Sequence, residues 1–161
     1  MTTFVTRMPS PVGDLMLAGD GHALSAIWID GQRWAPALGA DWRVEAGPFK
    51  EATRQLREYF AGARMAFDLP LGASGTPFQR QVWDALRQIP FGETRTYGAI
   101  AAALGRPLAA RAVGAANGQN PFCIVVPCHR LIGSRGALVD YAAGVDVKRR
   151  LLEHEGALLA V

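Results

Sequence analysis

Apolar residues alternate with polar ones over the first thirty positions, then the period changes. Phe4–Met8, Asp14–Ala18 and His22–Ile29 read as short strands around the turn PSPVG, because alternation with proline and glycine between runs suits half-buried strands. PFKEATRQLREYFAG then places Phe49, Leu56 and Phe60 at helical spacing, with Pro48 near its start and Gly62 past its end. Met65–Leu71 is expected to return as one more strand. Residues 1–72 therefore read as a small α/β domain.

Leu71–Gly75 is the expected joint, and beyond it the pattern is helical. Thr76-Pro77-Phe78-Gln79 supplies an N-cap, a first-turn proline and a glutamine placed to close a capping box. Phe78, Val82, Leu86 and Ile89 form one stripe. Tyr97, Ile100, Ala101 and Leu104 mark a second helix closed by Gly105, and Leu108–Ala116 a third, after the Arg106-Pro107 turn. Two helices joined by so short a turn fit helix-turn-helix geometry within a mostly α second domain, residues 73–161. The third helix is nearly all alanine and glycine apart from Val113 and one long side chain, Arg111. Such a face suits close packing on another helix, or close backbone approach to a phosphate-lined groove with Arg111 as a probe. Ala142–Ala160 suggests a short last helix with Leu151 and Leu152 turned inward and Lys148-Arg149-Arg150 as a solvated face.

Half of the 161 residues are hydrophobic and 19% are charged, which suits a folded globular chain and not a disordered one. No apolar run, Phe122–Val126 included, approaches a membrane span, and the start lacks the layout of a secretion signal, so a cytoplasmic home is expected. The net charge of +3 is unevenly distributed: residues 1–72 carry seven basic and eight acidic side chains, residues 73–161 ten and six. The basic surplus favours a polyanionic partner, though a merely soluble surface would carry it too.

Cys123 and Cys128 are the only cysteines. A disulfide between them would close a trivial loop, so free thiols are expected. Cys123, inside an apolar run, reads as core, and His22, beside a turn, as solvated. Cys128 is either a buried inert thiol or a reactive one. Pro127 cannot donate to a ladder, so CIVVP is expected to end as a strand and to bring Cys128 to an exposed strand end. His129 offers a base and Arg130 a positive potential favouring thiolate. Neighbours in an extended chain point opposite ways, so His129 reaches the sulfur only across a turn or through a water. Cys123, Cys128, His129 and His154 match no common zinc spacing, and the haem-attachment spacing is absent.

IVVPCHRLIG, with IPFGETRTYGAIAAALG and AARAVGAANGQNP ahead of it, closely resembles the O6-alkylguanine-DNA alkyltransferases from about Thr76 to Glu155, and more weakly at SPVGDLMLAG. The resemblance implies a ribonuclease-H-like first domain and a DNA-binding second one. It implies irreversible, single-turnover transfer of an alkyl group from O6-alkylguanine in DNA, with O4-alkylthymine as a further substrate, to Cys128. His129 would then act through a water as base and Glu155 would orient it. Asn120 would hold the turn, and Tyr97 would rotate the nucleotide and donate to the guanine ring. Arg111 would enter the stack, with Ala109, Ala110 and Gly114 along a minor-groove face. Pro127, Tyr141, Ala142 and Ala143 would wall the alkyl pocket, where Ala143 stands in place of a family glycine and narrows it; Asp140 adds a negative charge of unassigned purpose.

The implied partner is double-stranded DNA, bound by a monomer with cooperative loading left open, with no membrane, no cofactor and no metal. Two rival readings remain at this point. One is a DNA-binding sensor without transfer, against which the presence of Cys128 argues. The other is a cysteine hydrolase, for which no oxyanion hole is marked.

Overall fold

A computed structural model of the chain describes residues 2–33, 35–72 and 74–158. It divides into two compact units, Met1–Ala73 and Ser74–Val161. Ala73 of the expected joint, and Leu159 and Ala160 of the expected last helix, lie outside the described residues.

In the first unit, strands β1 (Phe4–Met8), β2 (Leu15–Gly19), β3 (Leu24–Ile29) and β4 (Arg43–Val44) form a sheet of order β3-β2-β1-β4. The β1–β2 and β2–β3 pairs are antiparallel and β1–β4 is parallel. Register puts Met16 opposite Trp28 and Ala18 opposite Ala26, so Val5, Met16, Ala18, Ala26 and Trp28 share one face, against which Trp42 packs. Leu15, Leu17 and Ile27 alternate onto the other face and are also fully buried. Two covered faces explain why β2 is apolar throughout.

Helix α1 (Lys50–Phe60) follows a single 3-10 turn at Gly47–Phe49 and buries Ala52, Gln55, Leu56 and Tyr59. The segment expected as a strand at Met65–Leu71 forms no ladder: only Leu71 makes a bridge, to Leu24. The Gln55 amide replaces the ladder, donating to the Asp68 carbonyl at 3.0 Å and accepting from the Asp68 N–H at 2.9 Å. A side chain thus satisfies backbone groups that a neighbouring strand would otherwise have taken.

The second unit opens with α2 (Pro77–Arg87), whose capping box at Thr76 and Gln79 is formed as the spacing predicts. Arg95–Thr96 (β5) precedes α3 (Tyr97–Ala103), a turn at Leu104–Ala109, and α4 (Ala110–Gly118). Helix α4 packs on both α2 and α3, and the Trp83 indole N–H donates to the Ala116 carbonyl at 2.8 Å. Packing uses Val113, Ala116 and Asn117, leaving Arg111, Ala112 and Ala115 exposed. Leu131–Ile132 (β6) pairs in parallel with β5, and α5 (Val145–His154) closes the unit. Gly144 precedes α5 at φ +100°, a conformation that L side chains rarely adopt.

CIVVP is not a strand. Residues 122–126 form a tight turn in which the Val126 N–H donates to the Phe122 carbonyl at 2.9 Å and Ile124 takes φ +71°. A β-branched residue in that region is strained, and the surrounding structure must over-determine it. A short apolar run between prolines does not distinguish a buried strand from a buried turn.

Candidate active site around the Cys128 turn

Sequence order and the β5–β6 pair assemble the site. Cys128–Arg130 is one 3-10 turn leading directly into β6, while β5 leads directly into Tyr97. Pairing Arg95 with Leu131 and Thr96 with Ile132 therefore brings the start of α3 beside the Cys-His-Arg turn. The Asn120 amide braces the preceding loop, donating to the Val126 carbonyl at 2.8 Å and accepting from the Phe122 N–H at 3.0 Å. That clamp holds Ile124 in its unfavourable conformation.

Cys128 is 6% exposed, buried within the turn and not at an open strand end. Burial pushes its thiol pKa up, opposed by hydrogen bonding from Asn120 and Tyr141 and by the Lys148 charge. Its Sγ lies 3.9 Å from the Tyr141 hydroxyl. At rest this is a thiol, and attack requires a base. Cys123 is buried beside it, also free, and burial holds its thiol well above the ordinary range.

The base is adjacent. His129 is fully buried, with Nε2 2.8 Å from Glu155 Oε2. Arg130 holds the same carboxylate through Nε at 2.8 Å and Nη2 at 2.9 Å, and also donates to the Ile89 carbonyl. Glu155 terminates α5, where the helix dipole disfavours an anion, and these donors outweigh that and the burial cost, lowering its pKa. His129 moves the other way: burial lowers its pKa more than Glu155 raises it. The consistent assignment is neutral imidazole, Nε2–H facing ionised Glu155, with Nδ1 bearing the lone pair. Nδ1 is buried and has no hydrogen-bond partner.

Arg130 does not supply the potential expected at the sulfur, because its guanidinium is engaged by Glu155 and stacked near Phe91. Lys148 is the cation that acts on Cys128. It is fully buried, contrary to the solvated face expected for Lys148-Arg149-Arg150; only Arg149 and Arg150 are exposed. Its Nζ donates to the Val139 carbonyl at 3.0 Å and lies 5.8 Å from the Tyr97 ring centroid. Burial lowers its pKa to about 8. The signal was present in sequence: Lys148, Leu151, Leu152 and Glu155 stand at i, i+3, i+4 and i+7, one face of a helix.

Tyr97 is half-buried, and a methyl group added at Gly114 would lie 3.7 Å from its ring. Tyr97, Gly114 and Lys148 therefore stand together near Cys128. Pro127 is buried before the turn, and Ala142 and Ala143 are half-buried after Tyr141. Burial raises the pKa of Tyr97, and the charge of the exposed Asp140 adds to that rise. Ala109 and Ala110 are half-buried at the start of α4, Arg111 is exposed, and Leu108 ahead of them is 100% exposed.

The Cys128 thiol thus lies beside the Tyr141 hydroxyl and within reach of the buried Lys148 charge, and its chain neighbour is an imidazole held by a carboxylate, which is equipment for nucleophilic displacement. Among the described residues no helix is long and apolar enough to cross a membrane.

Comparison with known proteins gives a consistent result. Residues 4–73 match the ribonuclease-like domain of 6-O-methylguanine DNA methyltransferase and residues 77–157 its DNA-binding domain. A Methanosarcina acetivorans methylated-DNA–protein-cysteine methyltransferase is 48% identical over 92% of this chain and 95% of its own length. The Mycobacterium tuberculosis methyltransferase is 50% identical over 91% of this chain and 88% of its own. The crystal structure of Mycobacterium tuberculosis OGT in complex with DNA superposes with a TM-score of 0.90 at 47% identity, covering 96% of this chain and 93% of that one.

Proposed function

The chain belongs to the 6-O-methylguanine DNA methyltransferase family, DNA-repair enzymes that transfer methyl from DNA to a protein cysteine, and on that premise we propose that Cys128 accepts the alkyl group once and irreversibly. The observation that carries this reading is the Cys128-His129 turn, with Nε2 on Glu155 and Nδ1 left to act as base. His129 takes the thiol proton through a water. The Cys128 sulfur then bonds to the alkyl carbon, the carbon–O6 bond breaks, and its electron pair leaves on the purine. The Tyr97 hydroxyl donates to the guanine ring and steadies that charge as it develops. Asn120 keeps the turn in shape, and Pro127, Tyr141, Ala142 and Ala143 wall the alkyl group, so methyl is favoured over bulky adducts. The thioether has no route back to thiol, so each molecule acts once.

The substrate carbon lies inside a stacked duplex, and flipping its nucleotide costs about a few kcal/mol. α3 and α4 act as a helix-turn-helix in which α4 enters the minor groove. Its exposed alanines, with Ala109, Ala110 and Gly114 behind them, let backbone approach closely, while Arg111 fills the gap left in the stack. O6-alkylguanine is the main substrate and O4-alkylthymine a secondary one.

The test is the intact mass of the protein after mixing with a duplex containing O6-methylguanine. One methyl group on Cys128, absent in Cys128→Ala, is the expected outcome. Folded wild-type protein left unmodified by an excess of that duplex would overturn the reading.

A further inference from the structure

Asn117 has no part in the mechanism so far, yet it is the other buried side chain whose polar atom lacks a partner. Among the described residues the buried atoms in that position are His129 Nδ1 and Asn117 Oδ1. Asn117 lies on the packed face of α4 and is 5% exposed. Its Nδ2 donates to the Cys128 carbonyl at 3.3 Å. That bond fixes which way the amide points, because the reversed amide would set oxygen against oxygen. Oδ1 is therefore an acceptor buried beside Cys128 without a donor, a costly state unless something satisfies it.

His129 Nδ1 is likewise an acceptor. Its Nε2 hydrogen is committed to Glu155, which Arg130 keeps ionised. One of these atoms belongs to a residue bonded to Cys128 and the other to a residue hydrogen-bonded to Cys128. Two acceptors cannot bond each other, but a single water carries two hydrogens and can donate to both. A water held in that way has its lone pairs turned away from both acceptors, free to accept from a thiol.

We propose that Asn117 is a positioning residue for the proton step: Oδ1 and His129 Nδ1 together hold one water whose lone pair faces the Cys128 thiol. The proposal rests on the reading of Cys128 as nucleophile and His129 as its base. In the step, the S–H bond breaks and its proton joins the water oxygen. The water simultaneously gives Nδ1 the hydrogen it had directed there, and the hydrogen on Oδ1 stays in place. The sulfur keeps the bonding pair for attack, the water is restored, and the imidazolium is held by Glu155. Without Oδ1 the water still reaches Nδ1 but is free to rotate, so the relay is misaligned for most of the time.

The test uses the full chain and single-turnover transfer from a duplex containing O6-methylguanine, measured between about pH 5.5 and 9, an interval over which hydroxide competes increasingly with the water-held base for the thiol proton. The other groups acting on the sulfur, Lys148 from α5, Tyr97 from α3, Tyr141, Asn120 and Cys123, are unchanged in the variants. Asn117→Ala is expected to slow transfer about 10- to 100-fold near neutrality. The deficit should shrink as pH rises, because hydroxide then takes the thiol proton directly. The final extent should remain one methyl group per chain, and Asn117→Ser, which restores an oxygen acceptor, should recover part of the rate. A deficit that is the same at every pH, or no deficit at all, overturns the proposal, as does a Ser variant no better than Ala.

Should Asn117→Ala fail to fold, Asn117→Ser decides: a rate deficit against wild type that shrinks as pH rises is expected, and a deficit constant with pH, or none, overturns the proposal. Failure of wild-type protein to methylate would instead remove the underlying reading, which keeps the two failures distinct.

Discussion

The two units handle charge in opposite ways. In the first, charged side chains stay at the surface: Arg7 bridges Asp14 and Asp30, and Arg54 bridges Glu51 and Glu58, all at least a third exposed. Its core is apolar except for Thr6 and the Gln55 clamp. In the second, His129, Arg130, Lys148 and Glu155 are buried, together with Asn117 and Asn120. Burying charge is costly, and exchanging a buried ion pair for packed hydrocarbon is often neutral or stabilising. A unit built for stability alone has no use for such a cluster. Its concentration in the unit that holds the Cys128 turn sets a buried polar cluster apart from a unit packed with hydrocarbon.

Deleting a carboxylate from each unit gives the largest expected contrast. Glu155→Ala leaves Arg130 buried without its anion and His129 without its acceptor, and is expected to destabilise the protein by about 3–5 kcal/mol. Glu51→Ala removes an exposed partner of Arg54 on α1, and the melting temperature should scarcely move. Thermal or urea unfolding of both variants checks this. Equal losses would mean that the second unit's charges are no more coupled to its fold than surface pairs are.

The same contrast explains what could be read from sequence. Strands and helices of the first unit follow from alternation and periodicity because its residues obey the ordinary rule of apolar inside and polar outside. The exceptions lie where side chains replace backbone partners. Met65–Leu71 is tied by Gln55 and not by a ladder, and Phe122–Val126 turns because Asn120 satisfies its backbone. Cys128, His129, Glu155, Asn120 and Tyr97 were reached through a motif, and all lie in one unit around one turn. Lys148 and Asn117 were missed because a polar residue is read as exposed by default. Each nevertheless stands at i, i+3, i+4 and i+7 with buried neighbours: Lys148 with Leu151, Leu152 and Glu155, and Asn117 with Val113, Ala116 and Asn120. A polar residue interrupting an apolar helical stripe is the legible sign of such a site.

Within the second unit, the comparison sharpens between its buried chemistry and its exposed helix face. Arg111 is exposed on α4, so Arg111→Ala should leave the fold and the Cys128 turn intact. Repair of O6-methylguanine in a duplex should fall by about 10- to 100-fold, the equivalent of losing part of the few kcal/mol that flipping requires. Transfer from free O6-methylguanine base, which needs no flipping, should fall far less. Single-turnover rates on the two substrates check the split, and equal losses would remove Arg111 from the flipping role.

The smallest effect expected is one of pH. His129 is buried as the neutral form, with its pKa below the ordinary 6.5. As pH falls below about 6.5, the unfolded chain takes up a proton that the folded one refuses, so stability drops by at most about 1.4 kcal/mol per pH unit until the folded pKa is passed. Glu155, also depressed, adds to the loss only when pH falls below its ordinary 4.5, because its stabilisation is complete above that value. In the first unit the lowered acids are exposed, Glu51 at about 2 among them, so its stability should change little between pH 7 and 5. Hydrogen exchange corrected for its intrinsic pH dependence should show protection around Cys128–Ile132 falling over that interval while protection in β2 and β3 holds. Loss in both units together would mean that they unfold as one. Loss in neither would mean that folded His129 takes up a proton as readily as the unfolded chain does, so that burial does not hold it neutral as assigned.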